Sequence, residues 1–232
     1  MSAICIIPAR AGSKRIPYKN ARLFHGQPII SYSIDVAKRS KLFERIIVST
    51  DDQNIAKISI ECGAEVPFLR PATLADDYTG TVPVIRHALE ALTQQLAGVN
   101  AVCCIYPTAP LLDELSLIKG YEKLCDEHVD YCYPVTSFSH PVERALTMDE
   151  KGRLTAISPR NFSGRTQDMV SAYHDAGQFY WGTVRAFVSG LKIVSARAVG
   201  IPIPRFMAQD IDTEEDWRTA ELMFTALRSI KA

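Results

Sequence analysis

The chain has 232 residues, 47% of them hydrophobic, and its 26 Lys+Arg balance 26 Asp+Glu. That length and apolar content suit one α/β domain over residues 1–232 with its own core, and exclude a disordered chain or a metal-stapled miniature. Zero net charge argues against a general nucleic-acid binder, which carries a basic excess, and no uncharged apolar stretch reaches membrane-spanning length. Residues 1–3 lead straight into apolar 4–7 without a cationic leader. The six cysteines form no CxxC pair, so free thiols in a reducing cytoplasm are expected rather than a disulfide framework or a zinc site.

Residues 3–7 predict a buried first strand, followed by a helix over 28–40 with Ile29, Ile30, Ser33, Ile34 and Ala37 on one face. Residues 45–49 predict a second strand, stopped by Thr50-Asp51-Asp52, a capping cluster for a helix reaching Glu61. A third strand is expected over 64–68, a helix over 81–96, a strand over 101–106 and a helix over 115–125. From about 136 to 173 Pro, Ser, Arg and Asn break the rhythm. Within that stretch 143–148 and 153–157 flank Asp149-Glu150-Lys151-Gly152, a hairpin signal, so 136–173 reads as a small insertion projecting from the sheet. Residues 178–181 and 199–203 are expected to return to the sheet, and a last helix over 213–230 starts at Thr213 with Glu214, Glu215 and Asp216 in its first turn. Apolar strands alternating with amphipathic helices imply a three-layer, Rossmann-like α/β domain with a mainly parallel sheet.

The first strand ends in Pro8-Ala9-Arg10-Ala11-Gly12-Ser13-Lys14-Arg15-Ile16-Pro17-Tyr18-Lys19-Asn20. Arg10, Lys14, Arg15 and Lys19 crowd a small-residue loop at the C-terminal edge of a parallel sheet, where α/β folds bind ligands. Ala11, Gly12 and Ser13 let backbone amides approach a phosphate, and the cations offset its charge. A solvated basic loop is the plainer alternative. The segment lacks both GxxxxGK[ST] and GxGxxG, which disfavours P-loop NTPases and dinucleotide dehydrogenases.

Near the other end, Asp210-Ile211-Asp212 places two carboxylates on one side of an extended segment with Ile211 on the other. Such a pair, completed by waters and phosphate oxygens, suits Mg2+; Asp212 could instead cap the last helix, a role Thr213 can also fill. A cationic anion loop and a metal-type acidic pair together fit nucleotidyl transfer with pyrophosphate release.

The 7–20 segment resembles the N-terminal signature of the acylneuraminate cytidylyltransferase family. Three further blocks match in order: Val48-Ser49-Thr50-Asp51-Asp52, Phe68-Leu69-Arg70-Pro71-Ala72-Thr73-Leu74-Ala75 and Asp210-Ile211-Asp212-Thr213-Glu214-Glu215-Asp216. The resemblance spans nearly the whole chain and implies the nucleotidyltransferase fold, with CTP as co-substrate, Mg2+ as cofactor and a nine-carbon 2-keto sugar acid as acceptor. It implies that Arg10 and Lys19 stabilise the triphosphate, with Asn20 nearby, and that the backbone from Ala9 through Ser13 lines the nucleotide pocket. Arg70, Thr79, Gly80 and Thr81 would hold cytosine and ribose, and Asp210 and Asp212 the metal. It further implies a homodimer that exchanges the insertion beside the partner's sugar site.

The chain departs from the sialic acid enzymes in the sugar pocket, where Tyr106 precedes Pro107-Thr108-Ala109-Pro110 in place of Gln and His174 stands in place of Arg. The Ser163-Gly164-Arg165-Thr166-Gln167-Asp168 block and residues 174–181 resemble the branch acting on pseudaminic acid. Tyr106, Arg165, Gln167, His174, Asp175, Gln178 and Tyr180 are therefore the expected sugar contacts, with Phe179 and Trp181 expected to pack. N-acetylneuraminic or legionaminic acid is the alternative acceptor. A sugar-1-phosphate nucleotidylyltransferase and a catalytically silent nucleotide-binding module are the rival readings, the second disfavoured by the intact acidic pair.

Overall fold

The computed structural model describes residues 2–126, 128–158 and 169–231. Strand β1 (Ser2–Pro8) alternates its side chains between two faces. Ala3, Cys5 and Ile7 point into one core, while Ile4 and Ile6 point into another, all fully or nearly fully buried. This alternation is what a strand covered on both sides requires.

After β1 a tight pair, β2 (Leu23–Phe24) and β3 (Gln27–Pro28), leads into α1 (Ile29–Ser40). β4 (Arg45–Ser49) follows, then α2 (Gln53–Glu61), whose first turn is capped by Asp52 accepting from the Ile55 amide at 2.8 Å. α3 (Thr81–Ala91), β5 (Val99–Ile105), α4 (Glu114–Leu124) and β6 (Tyr131–Ser137) come next. A hairpin of β7 (Leu146–Met148) and β8 (Leu154–Ala156) stands apart from the main sheet. The chain re-enters that sheet through β9 (Tyr173–Asp175), β10 (Phe179–Thr183), α5 (Val184–Val188) and β11 (Ala198–Pro202), then ends in α6 (Glu214–Lys231).

The main sheet runs β11-β6-β10-β5-β1-β4, with β9 added to β6. β4, β1 and β5 are parallel neighbours, as are β6 and β11; β10 sits between the two sets and is antiparallel to both. One core packs β1 and β5 against α1, α2 and α4, and the other packs the opposite face against α3 and α5, giving three layers.

Trp181 on β10 is fully buried, stacks on Phe43 and donates from Nε1 to the Leu117 carbonyl at 3.0 Å. Gly120 makes room for it, since a Cβ there would lie 2.5 Å from Trp181 Cδ1. Phe179 is equally buried, so both aromatics pack, as expected from the sequence.

Three elements differ from the sequence reading. Over 64–68 there is no strand, only single bridges from Glu65 to Ile47 and from Leu69 to Thr50; Pro67 between them has no amide to continue a ladder. The helix beginning at Thr81 stops at Ala91 and continues as a 3-10 turn, Thr93–Gln95, where the Thr93 hydroxyl donates to the Leu89 and Glu90 carbonyls. β6 was missing from the sequence pattern because Pro134 interrupts it. The structure tolerates that proline inside the sheet, with its carbonyl accepting from the Ala176 amide at 3.0 Å.

Candidate active site

At the C-terminal edge of β1, β4 and β5 lies a cavity of about 530 Å³. The cationic loop forms one wall. Asn20 is buried inside it and donates from Nδ2 to the Arg10 carbonyl at 2.8 Å, while the Ala11 amide donates to Asp51 Oδ1 at 3.1 Å. These bonds fix the loop so that Arg10, Ser13, Lys14, Arg15, Lys19 and Asn20 line the cavity. Ala9 is fully buried beneath the loop, and neither Ala11 nor Gly12 lines the cavity wall.

Arg70 enters from the segment after α2 with its side chain only 3% exposed. Its Nε and Nη2 are buried without a hydrogen-bond partner among the described residues, and Asp51 lies 4.0 Å from Nη2. Burial lowers its pKa, opposed by Asp51 and aided by Arg10. A buried guanidinium with open donors costs free energy that a bound acceptor would recover. Thr79, Gly80 and Thr81 complete that wall. Gly80 N-caps α3 without a side-chain bond, so among the described residues no cap side chain occupies the first amides of the helix, where an anion can bind.

Asp210 and Asp212 stand on the facing wall. Ile211 between them is fully buried in a third cluster with Ile16, Phe24, Trp217 and Phe224, which anchors the segment. Lys19 Nζ donates to the Ile211 carbonyl at 2.5 Å and lies 3.3 Å from Asp212 Oδ1; Arg15 pairs with Asp212 Oδ2 at 2.9 Å. Desolvation in the cleft raises the Asp210 carboxyl, the charge of Asp212 raises it further, and Lys19 works against both. Capping of α6 falls to Thr213 and Asp216: Thr213 Oγ1 accepts from the Asp216 amide at 3.2 Å, and Asp216 Oδ2 accepts from the Thr213 amide at 2.8 Å. Asp212 is therefore not needed as a cap.

The expected sugar residues divide. Tyr106 lines the cavity, its hydroxyl 2.8 Å from Thr81 Oγ1 and its ring edge-on to Tyr180 at 5.4 Å. Tyr180 donates to Asp175 Oδ2 at 2.6 Å; burial, then Tyr106 and Asp175, raise its hydroxyl pKa, which keeps it a donor. Gln178 is buried, donating from Nε2 to the Met207 carbonyl at 2.5 Å and accepting the Tyr106 amide at its own carbonyl at 2.8 Å. It therefore braces the pocket wall. His174 is exposed on β9, its Nδ1 donating to the Asp175 carbonyl at 2.8 Å and its ring edge-on to Phe138, away from this cavity. Arg165 and Gln167 lie outside the described residues.

Three contributors escaped the sequence reading. Asp77 pairs with Arg10 at 2.7 Å and with Lys14 at 2.5 Å. Asp51 holds the loop amide. Gly177, with φ of +64°, backs the acidic pair: a Cβ there would stand 3.3 Å from Asp210 Cγ. The Asp-Ala-Gly turn signal at 175–177 was legible, since Asp175 Oδ1 accepts the Gly177 amide at 2.8 Å. Nothing in the sequence alone says which side chain such a turn supports.

A family model described as Cytidylyltransferase matches residues 4–187. The chain is 38% identical to a pseudaminic acid cytidylyltransferase from Campylobacter jejuni subsp. jejuni serotype O:2, over 97% of each chain. It is 30% identical to a CMP-N,N'-diacetyllegionaminic acid synthase from Legionella pneumophila subsp. pneumophila, over 95% of this chain and 94% of that one. Among solved structures, a CMP:2-keto-3-deoxy-manno-octonic acid synthetase complexed with CTP superposes with a TM-score of 0.73 at 13% identity, over the full length of both. That last likeness speaks to the fold.

Proposed function

Because the chain belongs to the cytidylyltransferase family, we propose that it transfers CMP from CTP to the anomeric hydroxyl of pseudaminic acid, releasing pyrophosphate. The observation that carries this reading is Arg70, a buried guanidinium with two unpaired nitrogens, on the wall of a cavity also lined by Arg10, Lys14, Arg15 and Lys19. A site that holds so many cations around one unfilled space is built for a polyanion.

In this reading the anion loop and Arg70 grip the nucleotide. Thr79, Gly80 and the open end of α3 hold its sugar and base, and Tyr106 faces the acceptor. The anomeric oxygen forms a bond to the α-phosphorus, the bond to the pyrophosphate oxygen breaks, and the hydroxyl proton passes to water. Lys19 and Arg10 offset the charge that builds on the departing pyrophosphate.

Asp210 and Asp212 fit Mg2+: two hard oxygen donors flank one buried anchor residue, and the desolvation and then the Asp212 charge that raise the Asp210 carboxyl are what a dication offsets. Bound there, it would polarise the α-phosphate and lower the pKa of the attacking hydroxyl. Among the described residues no third His, Cys, Asp or Glu joins the pair, so phosphate oxygens and water would complete the coordination.

A homodimer completes the reading. The β7–β8 hairpin is too small to be stable alone, yet Leu146, Met148, Leu154 and Ile157 are exposed on or beside it. A second copy would cover them. We also expect the enzyme to work in the cytoplasm, where its free cysteines stay reduced. Among the described residues no helix is long and apolar enough to cross a membrane.

The test is to incubate the protein with CTP, Mg2+ and, separately, pseudaminic, legionaminic, N-acetylneuraminic and 3-deoxy-octulosonic acids, reading the CMP adduct by mass. A CMP-pseudaminic acid product formed fastest is the expected result. Faster turnover of another acid would reassign the sugar, and no adduct with any would defeat the reaction.

A further inference from the structure

We propose that Asp77 is a built-in anion that occupies the phosphate cradle until nucleotide displaces it, and that it sets the preference for a triphosphate over shorter nucleotides. The inference rests on reading the cavity as the CTP site, and goes beyond it by assigning a competitor for that site.

Asp77 belongs to the short segment between Arg70 and α3, and its carboxylate lies on the cavity wall. The neighbouring Asp76 side chain accepts the amides of Tyr78 and Thr79 at 2.9 and 2.7 Å, which folds the segment into a tight turn. Asp77 then reaches across to the anion loop, with Oδ1 2.7 Å from Arg10 Nη1 and Oδ2 2.5 Å from Lys14 Nζ. Arg10 also donates to the Asp76 carbonyl at 2.6 Å. Lys14, then Arg10, hold the Asp77 carboxyl below the usual carboxylate range, so it is ionised at neutral pH.

Two of the four loop cations thus pair with Asp77 and the other two with Asp212, which leaves the loop with a net positive charge. The two carboxylates differ in what can happen next. Asp212 belongs to the acidic pair that suits a metal, so it keeps a counter-charge when phosphates arrive. Among the described residues Asp77 has none besides Arg10 and Lys14. A phosphate oxygen cannot bond those cations through the space Asp77 fills, and an ionised carboxylate beside a phosphate repels it.

Binding is therefore an exchange of one anion for another. Exposed ion pairs are weak and screened by salt, so the exchange is readily reversed. A triphosphate offers both released cations more negative charge than the carboxylate it displaces, and each phosphate fewer leaves a smaller gain over Asp77. After transfer, the returning carboxylate helps to expel pyrophosphate.

The experiment measures dissociation constants for CTP, CDP, CMP and pyrophosphate, at fixed salt and Mg2+, on the wild-type protein and three variants. Asp77→Asn keeps the shape and removes the charge. Asp126→Asn makes the same change of net charge on the surface after α4, where Asp126 pairs with Lys123. Arg10→Ala tests the cradle itself. We expect Asp77→Asn to bind CDP and pyrophosphate about threefold to tenfold tighter, the scale of one nearby screened charge. The ratio of CTP to CDP affinity should fall, and the inhibition constant of pyrophosphate should drop in parallel. Asp126→Asn should match the wild type.

Unchanged or weaker binding by Asp77→Asn, with Arg10→Ala weakened, would overturn the competitor role and leave the CTP site standing. Equal tightening by Asp126→Asn would overturn it too, by tracing the effect to net charge. Normal CTP binding by Arg10→Ala would instead remove the cradle reading, and this proposal with it.

Discussion

Gly177 and Asp210 meet so closely that any side chain at 177 presses on a carboxylate of the acidic pair, a Cβ standing 3.3 Å from Asp210 Cγ. The backbone at Gly177 has φ of +64°, where a non-glycine residue costs about 1–2 kcal/mol.

Gly177→Ala should therefore do two separable things. Melting temperature should fall by a few degrees from backbone strain, and the apparent Mg2+ requirement should rise as Asp210 shifts. Titrating activity against Mg2+ checks this. A variant that melts lower yet keeps the wild-type Mg2+ dependence would reduce Gly177 to a turn residue.

The acidic pair gives opposite predictions for stability and for rate. The Asp210 carboxyl is raised in the folded protein, so its contribution to stability is present below the unfolded carboxylate pKa and is lost as pH rises through the folded value. Without metal at pH 7, Asp210→Asn should melt higher than the wild type. Added Mg2+ should raise the melting temperature of the wild type alone. Activity, in contrast, needs the ionised form and should fall as pH drops through that raised value. Asp212→Asn should lower turnover by a factor of about a hundred or more, as loss of several kcal/mol implies. Near wild-type turnover at low Mg2+ would dismiss the metal assignment.

Arg70→Ala exchanges function for stability. The guanidinium is buried with open donors, so its removal should leave the fold unharmed or slightly firmer. CTP affinity should drop about tenfold to a hundredfold, the scale of a lost charge-assisted contact. Paired thermal melts and CTP titrations decide it: a large fall in melting temperature with normal affinity would make Arg70 structural.

Tyr106 is the expected sugar-pocket residue that lines the cavity, and its hydroxyl is tied to Thr81. Tyr106→Gln should narrow the gap in turnover between pseudaminic and N-acetylneuraminic acids, because a changed polar contact in the pocket alters which acceptor is left with an unpaired group. His174 lies away from this cavity, so His174→Arg alone should change the gap less. Competition assays with both acids present measure it directly. An undiminished preference in Tyr106→Gln would move the discrimination elsewhere.

The three-layer domain and the cationic loop that lines the cavity were readable because they rest on local signals: alternating burial in β1, helical spacing in α1, cations packed after a strand. Asp210 and Asp212 were readable because a two-residue spacing with an apolar residue between is itself a geometric statement. β6 was not, since Pro134 hides a strand whose neighbours, β10 and β11, come much later in the chain. Asp77 was missed for a similar reason. Its charge is plain in the sequence, but its partners Arg10 and Lys14 lie more than sixty residues away. Gln178 showed the converse. Its position near the pocket was legible, while the bond to Met207 that turns it into a brace depends on the packed tertiary structure.

The reversed strand β10 also fixes an order of events during synthesis. β5 and β6 are not direct neighbours in the sheet: Phe179–Thr183 lies between them and pairs with both. A chain still on the ribosome and ending before residue 179 therefore carries a half-sheet of β4, β1 and β5 with an open edge on β5, and an unpaired flank on β6. Open edges recruit other strands. Stalled or truncated translation products should accordingly aggregate, and the interval between emergence of β6 and of β10 is when the nascent chain most needs a chaperone.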